Sequence, residues 1–338
     1  MGKRLYEQAE HGEMNIIGVG VSKAKLDCAW LKTDSKIKAK TVNNTPEGWQ
    51  QLVLWAQQNA GLEIGGLHFV MEATGIYHEN LAAWLYDHGA NVSVVNPAHV
   101  KHYAQSLGVQ TKNDKKDSAM LARYGQREQP SLWQPAPAEV RTLKALLARL
   151  AAVEKDLQRE KNRQEKAIVA DTPDTVLKSI THMIGLFEAE QAALEKLIDE
   201  HIKKHKKLKD NKVLLESIPG VGKVISRQML MVLGSHQFAS ASQCAAYLGL
   251  VPVQKESGSS LKGRPQLAKN GSPKIRAKLY MATVTATRYN PDIKAQYERL
   301  TGKGKSNMSA LGAAMRKLVQ ICYGVIKHQQ PYQPQVAV

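Results

Sequence analysis

The feature that most restricts the fold is the order of apolar segments between residues 14 and 126. Met14 to Gly20 (MNIIGVG) reads as a buried strand closed by a turn at Ser22-Lys23. Lys25 to Lys32 and Lys36 to Val42 alternate in character and predict two further strands. Thr45-Pro46 opens a helix, with threonine as cap, proline at the first helical position, and Leu52, Val53, Trp55 and Ala56 at helical spacing. Gly66 to Met71 predicts a fourth strand, Ile76 to His88 a second helix and Asn91 to Val95 a fifth strand. Helical stretches follow around Ala98–Gln105 and Asp117–Gln126. Three successive strands, then alternating helix and strand, predict a mixed sheet with helices packed against it.

The remainder reads as helical. Past Pro135 and Pro137, an apolar stripe (Leu143, Leu146, Leu147, Leu150, Val153) runs into the charged stretch Glu154 to Lys166. After Thr172-Pro173 a second helix carries Leu177, Ile180, Met183, Ile184, Phe187, Ala192, Leu194 and Leu197. Two long amphipathic helices with a short break predict an antiparallel coiled-coil arm, serving either packing within the chain or dimerisation and RNA contact. Asp199 to Lys212 holds six lysines with His201 and His205, a solvated face or a track for a phosphate backbone. Ile218-Pro-Gly-Val-Gly222 lies between two helical patterns and looks like a helix-hairpin-helix. Gly220, Gly222 and Lys223 would there offer backbone N–H groups and charge to phosphate at a helix start; a plain turn is the other reading. Ser272-Pro273 starts a helix through Arg288, and Met308 to His328 forms the last. The fold class expected is α/β plus α. Residues 1–134 form the mixed sheet, 135–210 the arm and a basic linker, and 211–338 a mainly helical domain.

Charge narrows the partners. Lys and Arg number 47 against 30 Asp and Glu, a formal +17 in 338 residues with 43% apolar content. A chain this basic attracts polyanions, nucleic acid foremost and a membrane surface second. No run of about 18 apolar residues is present to span a bilayer, and the start shows no signal-peptide pattern. Cys28, Cys244 and Cys322 are widely spaced without a CxxC pair, which predicts reduced thiols in a cytoplasmic protein and no zinc site.

Two groups of residues carry chemistry. Glu72 ends the fourth strand, and Asp114 and Asp117 sit three apart at a helix start, so they share one helix face. Hard oxygen donors converging from a strand end and a helix start suit Mg2+ (or Mn2+), although the aspartates would also serve as cap and dipole partners. The second group is Gln254 to Arg264, which sets Ser257, Ser259 and Ser260 among Lys255, Lys262 and Arg264 with Glu256 as its single carboxylate. A hydroxyl there can attack phosphorus; an ordinary flexible basic loop is the alternative.

The order β-β-β-α-β-α-β-α is that of an RNase H-like domain, whose first strand normally supplies a carboxylate. Here that strand offers Gly20 instead, and Asp27 belongs to the second strand and is not expected to take its place. Gly18-Val-Gly-Val-Ser-Lys23 with Leu26-Asp27, Met71-Glu-Ala-Thr-Gly75, Val95-Asn-Pro97 and Lys112-Asn-Asp-Lys-Lys-Asp117 resemble the DEDD transposases of insertion sequences. That family includes Piv-type DNA invertases and bridge-RNA-guided recombinases. Pro219 to Gly222, Gly249 to Pro252 and Glu256 to Ser260 match its second domain in the same order.

The resemblance implies a RuvC-like N-terminal fold and a metal held by Glu72, Asp114 and Asp117, with Gly20 where the first family Asp belongs. It also implies Ser257 as nucleophile through a phosphoserine intermediate. Donor and target DNA, a structured noncoding guide RNA and a homo-oligomer (dimer or tetramer) would be the partners, and no membrane. Two other functions fit the residues. One is a metal-dependent nuclease or resolvase that uses water; the other is a nonenzymatic nucleic-acid-binding protein.

Overall fold

The computed structural model describes residues 15–33, 36–73, 75–108, 114–253, 256–257, 261–262 and 266–335; for 33, 114, 115, 256, 257, 261 and 262 it describes the backbone alone. The chain divides into two compact units, Met1–Pro135 and Ala136–Val338.

The first unit holds a five-stranded mixed sheet. Strands β1 (Asn15–Val21), β2 (Lys25–Thr33) and β3 (Lys36–Asn43) pair antiparallel, while β4 (Leu67–Glu72) and β5 (Asn91–Val95) continue parallel to β1. The strand order is β3-β2-β1-β4-β5. Helix α1 (Pro46–Ala60) begins as its sequence predicts: the Thr45 side chain accepts a hydrogen bond from the Gly48 N–H, with Pro46 in the first turn. Helix α2 (Glu79–Asp87) starts three residues later than Ile76. Gly75 takes a positive φ of 64°, and the Tyr77 carbonyl is held by the Asn44 amide, so residues 75–78 turn before the helix begins.

The sheet buries both faces, as period two requires of a central strand. Ile17, Val19, Phe69 and Met71 join Leu52 and Ala56 of α1 and Leu81 and Leu85 of α2. On the opposite face Ile16, Val70 and Val95 meet Val100 of α3 (Pro97–Ser106) and Met120, Leu121 and Ala122 of α4 (Asp114–Glu128). The chain after α4 closes the β5 side: the Trp133 N–H donates to the Val92 carbonyl, and the Ser93 hydroxyl donates to the Pro130 and Ser131 carbonyls.

The second unit is mainly helical. Helices α5 (Ala138–Val169) and α6 (Asp174–Lys204) form an antiparallel pair, crossed by Arg149–Glu190 and Lys161–Glu188 ion pairs. Leu143, Leu147, Leu150 and Val153 of α5 share a core with Leu194, Ile198 and Ile202 of α6. The lysine-rich stretch is helical: α6 ends at Lys204 and α7 (Lys206–Glu216) follows, with Ile202 and Leu208 turned inward and Lys203, Lys204, Lys206, Lys207 and Lys209 outward. After a turn come α8 (Lys223–Ser235) and α9 (Ala241–Tyr247).

Two short antiparallel ladders succeed them, β6 (Pro252–Val253) with β9 (Gln266–Leu267), and β7 (Glu256–Ser257) with β8 (Leu261–Lys262). Helices α10 (Pro273–Tyr289), α11 (Pro291–Gly302) and α12 (Asn307–His328) complete the unit. The hairpin and α11 are not foreseen from sequence. Two-residue strands are too short for an alternation pattern, and Asn290-Pro291 restarts a helix where only a turn signal is legible.

Candidate active site

Sheet register in the first unit sets Gly20, Asp27 and Glu72 level with one another. Gly20 lies directly opposite Asp27 in the β1–β2 ladder, and opposite residues of an antiparallel pair project to the same face. In the parallel ladder Val19 is level with Met71, so the next pair in line is Gly20 and Glu72. Thr41, Asp27, Gly20 and Glu72 therefore form a row across four strands. The row is on the α4 face, because Gly18 shares the orientation of Gly20 and abuts α4.

A Cβ at Gly18 would fall on the Ser118 carbonyl oxygen and the Ala122 nitrogen. Further along, Gly125 abuts Ile16 and Val70. Helix α4 thus runs antiparallel to β1, and its first turn, bearing Asp114 and Asp117, points to the Gly20–Glu72 end of the sheet. Alternation puts Glu72 on the face where that helix starts; Asp117 is half-buried beside it in sequence to the fully packed Ser118.

Asp27 is nearer to this row than its place in the sequence suggests. The tight turn at Ser22–Lys25, where the Ser22 N–H donates to the Lys25 carbonyl, sets the register that puts Asp27 opposite Gly20. Its carboxylate is already engaged. Oδ1 accepts from the Thr41 hydroxyl at 2.7 Å and Oδ2 faces Lys25 Nζ at 3.0 Å. Both partners come from β2 and its β3 neighbour, which directs the carboxylate away from Gly20.

The carboxylates of Glu72, Asp114 and Asp117 have the hard-oxygen chemistry a Mg2+ site takes. Gly20 contributes no donor, and among the described residues no three His, Cys, Asp or Glu side chains already form a metal-holding group.

The second candidate group belongs to the other unit. Ser257 pairs with Leu261 and Glu256 with Lys262 near the tip of the hairpin. Lys255, Ser259, Ser260 and Arg264 lie outside the described residues. The turn between α7 and α8 separates its two glycines by role. Gly220 has φ of 95° and packs on α10, where an added Cβ would lie 2.6 Å from Ala286 Cβ. Gly222 is the exposed N-terminal cap of α8, with nothing within 4 Å of an added Cβ.

Lys223 follows on the same open helix start, its ammonium 3.5 Å from Asp199 Oδ2. Asp199 also pairs with buried Arg227 at 2.8 Å and with Lys212 at 3.6 Å. Burial pushes its carboxyl up, but the Arg227 hydrogen bond and the charges of Arg227, Lys212 and Lys223 outweigh that and hold it below the usual carboxylate range. Sequence spacing does not connect Asp199 to this turn, since residues 217–222 lie 18 to 23 positions further along.

The three cysteines are free and buried. Burial raises all three thiols, Cys244 and Cys322 to about 12 and Cys28 higher still, with the Asp27 charge adding to the effect at Cys28. None is a thiolate at neutral pH, so hydroxyl rather than thiol chemistry remains for a nucleophile.

Known proteins with related sequences define the class first. Residues 17–173 match a DEDD family model described as Transposase, and residues 212–298 match one described as Transposase IS116/IS110/IS902 family. The chain belongs to this transposase family. Among its relatives, the Pilin gene-inverting protein of Moraxella lacunata is 34% identical over 324 residues, 95% of this chain and 98% of the relative. The Pilin gene-inverting protein of Moraxella bovis is 33% identical over the same length. A transposase for insertion sequence element IS1111A from Coxiella burnetii is 24% identical, covering 81% of this chain and 80% of the relative.

Proposed function

We propose that this protein is a DNA recombinase that cuts and rejoins strands through a phosphoserine intermediate at Ser257. The observation that carries the reading is the row formed by Gly20, Asp27 and Glu72 beneath the first turn of α4. Under this proposal Glu72, Asp114 and Asp117 act together at that end of the sheet, and the strand order 3-2-1-4-5 supports a RuvC-like domain. In this reading the Ser257 oxygen attacks a DNA phosphorus; a Ser–O–P bond forms, a P–O bond to the sugar breaks, and the strand end leaves as a hydroxyl. A second hydroxyl end attacks the phosphoserine and restores Ser257, which conserves the bond for rejoining.

Glu72, Asp114 and Asp117 would hold Mg2+ (or Mn2+), which when bound polarises the phosphate. Lys255, Lys262 and Arg264, with Ser259 and Ser260, would neutralise and orient phosphate charge. Gly222 and Lys223, at the open start of α8, would take backbone phosphate in the manner of a helix-hairpin-helix, while Gly220 fixes the turn.

The wider assignments follow from family membership. They are three parts at 1–134, 135–210 and 211–338, donor and target DNA, a structured noncoding guide RNA, and a homo-oligomer in the cytoplasm. The exposed lysines Lys203, Lys204, Lys206, Lys207 and Lys209, where α6 passes into α7, support the RNA partner. Val176, Met183, Leu186 and Leu197 lie exposed along α6 and support self-association. Among the described residues no helix is long and apolar enough to cross a membrane.

A second reading has its own support. Gly20 brings no donor and Asp27 is committed to Thr41 and Lys25, which favours a chain that binds nucleic acid without cutting it. One experiment separates the two. Gly20→Asp protein is incubated with Mg2+, cognate RNA and end-labelled DNA, with and without Ser257→Ala. The recombinase reading expects a protein–DNA adduct in Gly20→Asp that Ser257→Ala abolishes. Cleavage that persists without the serine would instead assign a water-using nuclease, and no strand exchange in Gly20→Asp would leave the binding protein.

A further inference from the structure

Two arginines of the second unit, Arg276 and Arg316, differ in whether they have partners. Arg276 of α10 donates from Nη1 to the Gly271 carbonyl and, at 3.5 Å, toward the Leu248 carbonyl. It ties the segment before the hairpin to the segment after it, where the Ala268 N–H also donates to the Val251 carbonyl. Its donors are spent on structure.

Arg316 of α12 is the opposite case. It is half-buried, its Nε is enclosed without a hydrogen-bond partner, and no described carboxylate pairs with its guanidinium. An enclosed guanidinium donor without an acceptor costs stability, a cost that a ligand supplying oxygens would offset.

Position says which ligand. Gly312 lies one turn earlier on the same face of α12 and abuts Leu267 of β9, 3.6 Å from an added Cβ to Leu267 Cδ1. Side chains in a helix lean toward its N-terminus, so Arg316 leans back along the Gly312 face toward the hairpin root. A planar fork of N–H donors there matches phosphate oxygens in geometry and charge.

We infer that Arg316 binds a DNA phosphate at the root of the Ser257 hairpin. The inference rests on the reading that this hairpin works on DNA, and it adds a residue that neither the motifs nor the charge runs single out. In a helix from Asn307 to His328 dominated by apolar and small residues, a single arginine looks like a solvated charge.

The test uses the full chain, a fluorescein-labelled DNA duplex of about 30 base pairs and a structured RNA of similar charge, with no divalent cation present. Strand cleavage then does not enter, and loss of the phosphoserine reading would leave the binding result standing. Affinity is measured across a salt series for wild type, Arg316→Gln and Arg316→Lys, and each protein is melted. Arg316→Gln is expected to bind duplex about tenfold more weakly at 0.1 M salt, with a log–log salt slope shallower by about one.

Its melting temperature is expected to hold or rise, because an enclosed unpaired donor has been removed, and Arg316→Lys should fall between the two in affinity. A structural arginine would behave the other way, losing melting temperature in both variants in step with affinity, and that result overturns the proposal. So does an unchanged duplex affinity and slope, or a loss confined to the RNA probe.

Discussion

Asp199 illustrates how much a single side chain organises in the second unit. It lies on α6 yet meets Lys212 on α7 and both Lys223 and Arg227 on α8, so one carboxylate links three helices around the 217–222 turn. Its carboxyl is held below the usual range, so the unfolded chain takes up its proton at a higher pH than the folded chain does. The stability it adds is therefore present above the ordinary aspartate pKa, about 3.9, and is lost as pH falls below it. Asp199→Asn is expected to cost about 1–3 kcal/mol at pH 7, since it leaves the buried Arg227 without its counter-charge. Urea unfolding at pH 7 and again near pH 3 checks this: the gap to wild type should shrink at the lower pH. Gly20 marks the other extreme, a position where the absence of a side chain is the finding. Its neighbour across the β1–β2 ladder is Asp27, already bonded to Thr41.

At the level of elements, the closeness of α4 to β1 determines where the acids go. Helix and sheet approach so tightly at Gly18 that no side chain fits between β1 and the Ser118–Ala122 turn. Gly18→Ala should therefore push α4 off the sheet, destabilise the first unit by about 3 kcal/mol and displace Asp114 and Asp117 from the Glu72 end. Thermal unfolding of the variant, followed by tryptophan fluorescence, reads the loss; an unchanged melting temperature would show that α4 packs more loosely than this contact implies. The five strands, α1 and the long helices α5 and α6 were legible because each keeps its own period over many residues. Helix α2 was legible only in part. Its apolar pattern extends back to Ile76, but the left-handed turn at Gly75 and the Asn44–Tyr77 contact claim the first three residues.

For the whole molecule, the excess of 47 Lys and Arg over 30 Asp and Glu is the dominant fact. Binding carried by that charge releases counterions from DNA, so affinity should fall linearly on a log–log plot against salt. A loss of about a thousandfold between 50 and 200 mM is expected if about six phosphates are neutralised. Fluorescence anisotropy with an unrelated duplex measures it, and a flat salt response would remove phosphate contact as the basis of binding. The two units bury separate cores, one around Phe69 and Met71 and the other around Met229, Leu318 and Val319. Between them, Pro135 and Pro137 precede the start of α5 at Ala138.

Local pattern settles what neighbours in the chain can settle. Periodicity selected strand or helix, the Thr45-Pro46 cap began α1, and net charge pointed to polyanions, because each depends on residues a few positions apart or on a sum over all of them. The motifs also identified the family. Pairing across space lay beyond that reach. The opposition of Gly20 and Asp27, the direction of α4 over the sheet, the cations around Asp199 and the approach of Gly312 to Leu267 all join residues that the chain keeps apart. Register, close approach and desolvation exist only once the elements are packed. The sequence therefore named Glu72, Asp114, Asp117 and the glycine at position 20, and packing added that Asp27 stands across from that glycine.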